Sequence, residues 1–248
     1  MSKDKVLIIN ADDLGRSTAE TDAALRCFHA GRISSGSFMV FMPDSERAAR
    51  LVREANLDVG LHLNFTEPFT AASCSARLMD AQRRVAGFLR RNRYAQLVYN
   101  PFLRQQFAES YGRQVAEFVR LFGELPSHLD GHHHMHLCAN ILLSGIPPKS
   151  AKMRRNFSFW PGEKSWLNRV YRRTVDRWLA RRYRLTEFFF DLTASLQHHC
   201  LDRALALAGT GSVELMTHPT LKFECEFLMS DAFPPMLRGL DIGSYRHL

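Results

Sequence analysis

Short apolar runs alternate along the chain with longer stretches whose apolar residues recur at helical spacing. The runs at 5–10, 34–41, 58–63, 127–130, 151–154, 186–190 and 212–216 are rich in aliphatic and aromatic residues and read as strands. Between them, 18–30, 45–55, 101–122, 164–184 and 193–208 read as helices, and the Arg-rich, Leu-containing stretch 74–100 favours helix as well. Ser17 and Thr18 offer cap chemistry before the first helix, and Gly31 ends it. The tail 225–248 is expected to close with a helix and a short strand. Strands alternating with helices predict an α/β fold on a parallel sheet, closed as a barrel or open and doubly wound. With no internal repeat and no low-complexity linker, residues 1–248 read as one domain.

Polar residues gather where these runs end. Asn10-Ala11-Asp12-Asp13-Leu14-Gly15 follows Val6-Leu7-Ile8-Ile9, and Gly60-Leu61-His62-Leu63-Asn64 ends another run. Asp130-Gly131-His132-His133-His134-Met135-His136 follows the fourth, Arg154 and Arg155 close the fifth, and His218 sits in Met216-Thr217-His218-Pro219. In parallel α/β folds ligands collect at the carboxyl ends of strands. A metal hydrolase site needs about three protein ligands and an open position. One carboxylate and two imidazoles meet that need for zinc, iron, nickel or cobalt, whereas magnesium prefers more oxygens. One divalent cation, magnesium or zinc, is the expected cofactor. In the pair Asp12-Asp13 one carboxylate can ligate while the other serves as base, and His218 is placed to protonate a leaving group.

Plainer readings compete. Asp12-Asp13 could cap a helix or form a phosphoacceptor pocket, but the latter needs an Asp where this chain has His62. His132 to His136 could be a surface metal-scavenging tract, against which stand the preceding strand and Asp130. Asp130 is expected to orient an imidazole or brace the base. His133, His134 and His136 are expected to hydrogen-bond, pack or touch substrate, and Arg154 and Arg155 to contact substrate or base. His198, His199 and His247 read as surface residues.

The blocks Asn10 to Gly15, Gly60 to Asn64, His128 to His136 and Met216 to Pro219 resemble those of the YdjC-like carbohydrate deacetylases, in order from near residue 5 to Gly243-Ser244-Tyr245. The resemblance implies a distorted (β/α) barrel of about seven parallel strands and metal-dependent removal of an N-acetyl group from an amino sugar. It implies Asp13, His62 and His132 as metal ligands, Asp12 as base and His218 as acid. Leu14 stands where the family usually has Phe, and Gly131 where Ser is frequent. The connection from His136 to Lys152 is short, with Pro147-Pro148 in place of a longer helix.

Composition narrows the setting. The chain has 248 residues, 46% apolar and 23% charged, as expected of a globular enzyme. No apolar stretch approaches the roughly 20 residues of a membrane span, and Val6 to Ile9 is too short for a signal-peptide core, so a cytoplasmic location is expected. The five cysteines, Cys27, Cys74, Cys138, Cys200 and Cys225, form no CxxC pair and are expected to be reduced. The net charge of +8 is concentrated: Lys149, Lys152, Arg154, Arg155, Lys164, Arg169, Arg172, Arg173, Arg177, Arg181, Arg182 and Arg184 face only Glu163 and Asp176 in that segment. Phe157, Phe159, Trp160, Trp166 and Trp178 are interleaved there, so beside an amino-sugar substrate the segment is a candidate contact for a membrane or anionic lipid. Specific nucleic-acid binding has no recognition motif behind it. A homodimer is a candidate assembly. A phosphoesterase on the same fold and a non-enzymatic glycan or glycolipid binder are the rival functions.

Overall fold

The structure, a computed structural model, describes residues 5–160 and 162–248. Strand β1 (Val6–Leu14) leads to α1 (Thr18–His29), β2 (Ser35–Phe38), α2 (Ser45–Glu54) and β3 (Val59–Leu63). Then come α3 (Ala76–Leu89), α4 (Arg104–Phe122), β4 (Leu129–Gly131), α5 (Ala139–Ser144) and α6 (Trp166–Leu179). The chain closes with β5 (Phe188–Asp191), α7 (Leu192–Gln197), α8 (Leu201–Ala208), β6 (Ser212–Thr217), α9 (Lys222–Met229), α10 (Phe233–Met236) and β7 (Ile242–Gly243). The strand order is β4-β3-β2-β1-β6-β5, with β7 on β1. β1–β6, β5–β6, β3–β4 and β1–β7 are parallel pairs, as the strand–helix alternation requires.

The chain divides into two compact units. One comprises residues up to Asp12, Asp22–Gly36 and Lys149–Leu248. Within it Val6 and Ile8 pack on Tyr245. Buried Phe189, Val213 and Leu215 extend the apolar interior along β5 and β6. The other unit comprises Asp13–Thr21 and Ser37–Pro148. Its core is aromatic: Phe38 meets Phe118 and Phe122 edge-on at 6.4 and 4.9 Å, and Phe65 lies 5.4 Å from Phe107. Each such ring removed from water contributes about 1.5–3 kcal/mol, so these contacts anchor α4 beneath β2 and β3.

Three expected elements are replaced. Residues 151–154 form no strand: a lone parallel bridge joins Lys152 to Arg184. Pairing stops there because the backbone N–H of Asn156 is taken by Asp176 Oδ1 at 3.1 Å and the Arg154 side chain turns wholly inward. Arg154 and Arg155 therefore do not close a strand. The helix expected over 193–208 is two helices, α7 and α8, because His199 is left-handed (φ 50) and Cys200 donates back to Ser195 O. The helix expected over 164–184 is confined to α6, which starts on the Ser165 side-chain cap. All five cysteines are unbridged; Cys27, Cys138 and Cys200 are buried. Among the described residues no helix is long and apolar enough to cross a membrane.

Candidate metal centre and active site

The parallel register of β3 and β4 sets His62 beside Asp130. His62 Nδ1 lies 2.9 Å from Asp130 Oδ1, and the Ser37 hydroxyl donates to Asp130 Oδ2 at 2.7 Å. A buried carboxylate accepting from Nδ1 fixes the ring and turns Nε2 outward. That Nε2 lies 3.3 Å from Asp13 Oδ1. His132, the residue after β4, brings Nδ1 to 2.9 Å from the same oxygen. The ligating atoms of Asp13, His62 and His132 all lie within 4.8 Å of one another, and the three residues are buried.

The backbone is bent to make this meeting. Asp13 is left-handed (φ 68), as are the consecutive His133 and His134 (φ 54 and 58). Asp and His tolerate this region better than most residues, at a cost of order 1–3 kcal/mol each. Gly15 (φ 82) completes the turn after β1, where a Cβ would fall 2.7 Å from the Met39 carbonyl oxygen. Burial by itself would raise the Asp13 pKa. Hydrogen bonds from His132 and His62 outweigh it and hold the carboxyl far below the ordinary range. An ionised carboxylate with two converging imidazoles is a fitting donor set for zinc or another borderline divalent ion, and three protein donors leave positions for water and substrate.

A second ring of contacts surrounds the three. Asn64 Oδ1 accepts from the backbone of Thr66 and Glu67 at 3.1 and 2.8 Å, a side-chain turn held by Gln114 Oε1 on Asn64 N. It delivers Glu67 Oε1 to 3.1 Å from His132 Nε2 and to Arg16, which donates at 2.8 Å. Thr66 Oγ1 lies 3.0 Å from His133 Nδ1. His134 is half-buried, its ring 6.3 Å from that of the buried His136.

Asp12 belongs to the other unit and is gripped there. Arg154 donates to its two oxygens at 2.6 and 2.7 Å, and Asn10 Nδ2 adds a bond at 2.8 Å. Arg154 Nε also donates to Glu214 Oε1 at 2.8 Å, while the Tyr245 hydroxyl donates to the second Glu214 oxygen. Asp12, Arg154 and Glu214 are all buried. Arg155 instead donates to Asp176 at 2.7 Å and to the carbonyls of Thr186 and Glu187.

His218 follows β6 within the same unit. Its backbone N–H donates to Glu224 Oε2 at 2.5 Å, and the side chains of Asp191, His218 and Glu224 offer atoms within 4.8 Å of one another. Burial raises the pKa of both Asp191 and Glu224. Asp191 also lines a cavity of about 140 Å³, which shares Phe157, Phe159, Trp160 and Phe190 with a cavity of about 180 Å³.

Of the residues singled out in the sequence, Asp13, His62, His132 and Asp130 are brought together in one unit, and Asp12 with Arg154 in the other. Glu67, Arg16, Ser37, Glu214, Asp191 and Glu224 went unread. Glu214 alone carries a signal, as an isolated acid inside the apolar run Ser212–Thr217.

The family model described as "YdjC-like protein" matches residues 6–238. The chain belongs to the YdjC-like family. A chitooligosaccharide deacetylase of Serratia marcescens is 31% identical over 135 residues, 54% of this chain and 51% of that protein. A carbohydrate deacetylase of Danio rerio is 29% identical over 54% of the chain and 43% of that protein. The YdjC-like chain thus matches about half the length of these relatives. A chitooligosaccharide deacetylase of Klebsiella pneumoniae (strain 342) is 28% identical over 96% of the chain and 90% of its own length. A crystal structure from Enterococcus faecalis, of a protein named for cellobiose-phosphate cleavage, has a TM-score of 0.73 and 19% identity, covering 98% of each chain. That likeness shows the fold, in agreement with the distorted parallel α/β architecture expected from the sequence.

Proposed function

We propose that this YdjC-like protein is a metal-dependent carbohydrate deacetylase that hydrolyses the N-acetyl group of an amino sugar. The observation that carries the reading is the convergence of Asp13, His62 and His132 on a common point. A divalent ion held by these three supplies Lewis acidity toward an acetamide carbonyl and an attacking water. Asp12, next in the chain to Asp13, takes the proton of that water; Arg154, on both its oxygens, keeps the carboxylate aimed. His218 gives its proton to the departing amine nitrogen, and the carboxyl groups of Asp191 and Glu224 lie beside it. The rings of Phe157, Phe159, Trp160 and Phe190 suit the apolar faces of a sugar. The names of the relatives, which are carbohydrate and chitooligosaccharide deacetylases, support the same chemistry. Among the basic residues lining the cavity of about 180 Å³, which are Arg155, Arg169, Arg172 and Arg173, Arg169 and Arg172 extend the reading to an amino sugar that bears a phosphate or a lipid.

The test is acetate release from free, polymeric and lipid-linked N-acetyl amino sugars, with bound metal measured by mass spectrometry. Asp13→Ala, His62→Ala and His132→Ala are each expected to lose metal and activity together, and Asp12→Asn to keep metal yet lose most turnover. Full metal occupancy in the three ligand variants, or release of phosphate in place of acetate, would overturn the reading.

A further inference from the structure

The N-terminal half of helix α6 is inverted for a surface helix. Helices of globular proteins bury their apolar stripe and turn polar residues to water. Here Leu179, with the half-buried Val175 and Trp178, packs inward only toward the C-terminal end, where Asp176 is also buried and accepts from Arg155 and Asn156; the partly buried Arg172 donates to Asn168 at 2.9 Å. Turned to water are Trp166, Leu167, Val170 and Tyr171, with 66, 62, 49 and 51% of their surface exposed. Spaced at i, i+1, i+4 and i+5, they form one continuous stripe. Four large apolar side chains in a contiguous exposed patch mark an interaction surface.

The rim of the stripe identifies its partner. Arg173 and Arg177 lie on the exposed side of α6, and among the described residues neither makes an ion pair. Asp176, the helix's own acid, is consumed internally, so the outward face is purely cationic. A second copy of the chain laid on this stripe would set arginines against arginines. An apolar stripe edged by guanidinium groups, with Trp and Tyr at its centre, matches the boundary between headgroups and acyl chains of an anionic bilayer.

We propose that α6 is a peripheral membrane-docking element, with Trp166, Leu167, Val170 and Tyr171 entering an anionic lipid surface and Arg173 and Arg177 meeting its phosphates. The other unit carries the same chemistry by itself. Between Arg90 and Arg104 it has four arginines and no acid, with Tyr94, Leu97, Val98 and Phe102 exposed, Phe102 by 88%. Neither argument depends on the deacetylase reading, since lipid binding is read without turnover.

The experiment is sedimentation of the full chain with vesicles of phosphatidylcholine alone and with added phosphatidylglycerol, beside Trp166 emission. The chain is expected to pellet with the anionic vesicles, with Trp166 emission shifting to the blue, and to be released by salt. Trp166→Ser/Leu167→Ser is expected to weaken partitioning roughly tenfold or more. Arg173→Gln/Arg177→Gln is expected to weaken it about fivefold per charge, on anionic vesicles alone. All four side chains are exposed, so circular dichroism and bound metal should match the unmodified protein. Partitioning that is absent, or unchanged in both variants, overturns the proposal. So does a dimer in solution that the apolar variant dissociates, since the stripe would then belong to a second copy.

Discussion

Which nitrogen of His62 faces the proposed metal position is decided by Asp130, not by His62 itself. Asp130 is wholly buried, accepts from the Ser37 hydroxyl and lies 2.9 Å from Nδ1, so the lone pair of Nε2 is the one presented. Asp130→Asn leaves the ring in place but replaces a charged acceptor with an amide. Metal affinity is expected to fall 10–100-fold, read by competition with a fluorescent chelator; an unchanged affinity would remove Asp130 from this role. The carboxyl groups near His218 behave in the opposite way to Asp13. Burial raises Asp191 and Glu224, so the folded state favours their protonated forms. Their contribution to stability is therefore fully present below the unfolded carboxylate range near pH 4 and is lost as pH rises through the folded values. Asp191→Asn should flatten the fall in melting temperature over that rise, and an undiminished slope would contradict the assignment.

At the scale of elements, the site rests on strands whose registers bring charge inside. β6 places Glu214 opposite Ile8 of β1 and Phe189 of β5, in a fully buried row. Arg154 answers it from outside any strand, bonding Glu214 and Asp12 together and lying 4.9 Å over the Phe189 ring. Arg154→Met would strand two buried carboxylates without their cation. The expected loss is about 3–5 kcal/mol in urea unfolding, with activity falling further than folded content; a loss under about 1 kcal/mol would show that the network carries little. This is also where legibility ended. β1, β3, β6 and the blocks around Asp13, His62 and His132 were visible because apolar runs and metal-ligand residue types are local patterns. Arg154 was placed at a strand end, to contact substrate or base, and no local pattern chooses between those or singles out Asp12, 142 positions away in sequence. Glu67 was missed for a related reason: its approach to His132 is made by the Asn64 turn and by Gln114, which comes from α4.

For the whole molecule, a tight packing requirement shows how little slack the site's framework has. Gly60 on β3 faces the His128 ring so closely that a Cβ would lie 2.4 Å from it. His128 in turn reaches Ser37, the hydroxyl that also serves Asp130. The chain therefore ties strand spacing to the orientation of His62 through three residues that never touch the metal position. Its charge is organised at the same scale: acids are spent inside on Arg154, Arg155 and the histidines, and much of the surplus of +8 stays outward.

The central claim is that one divalent ion sits among Asp13, His62 and His132. Crystals of the protein loaded with zinc, measured on both sides of the zinc absorption edge, locate that ion without reference to activity. The account requires the dominant anomalous peak within bonding distance of Asp13, His62 Nε2 and His132. A dominant peak at Asp191, His218 and Glu224, or no ordered peak near Asp13, would contradict it.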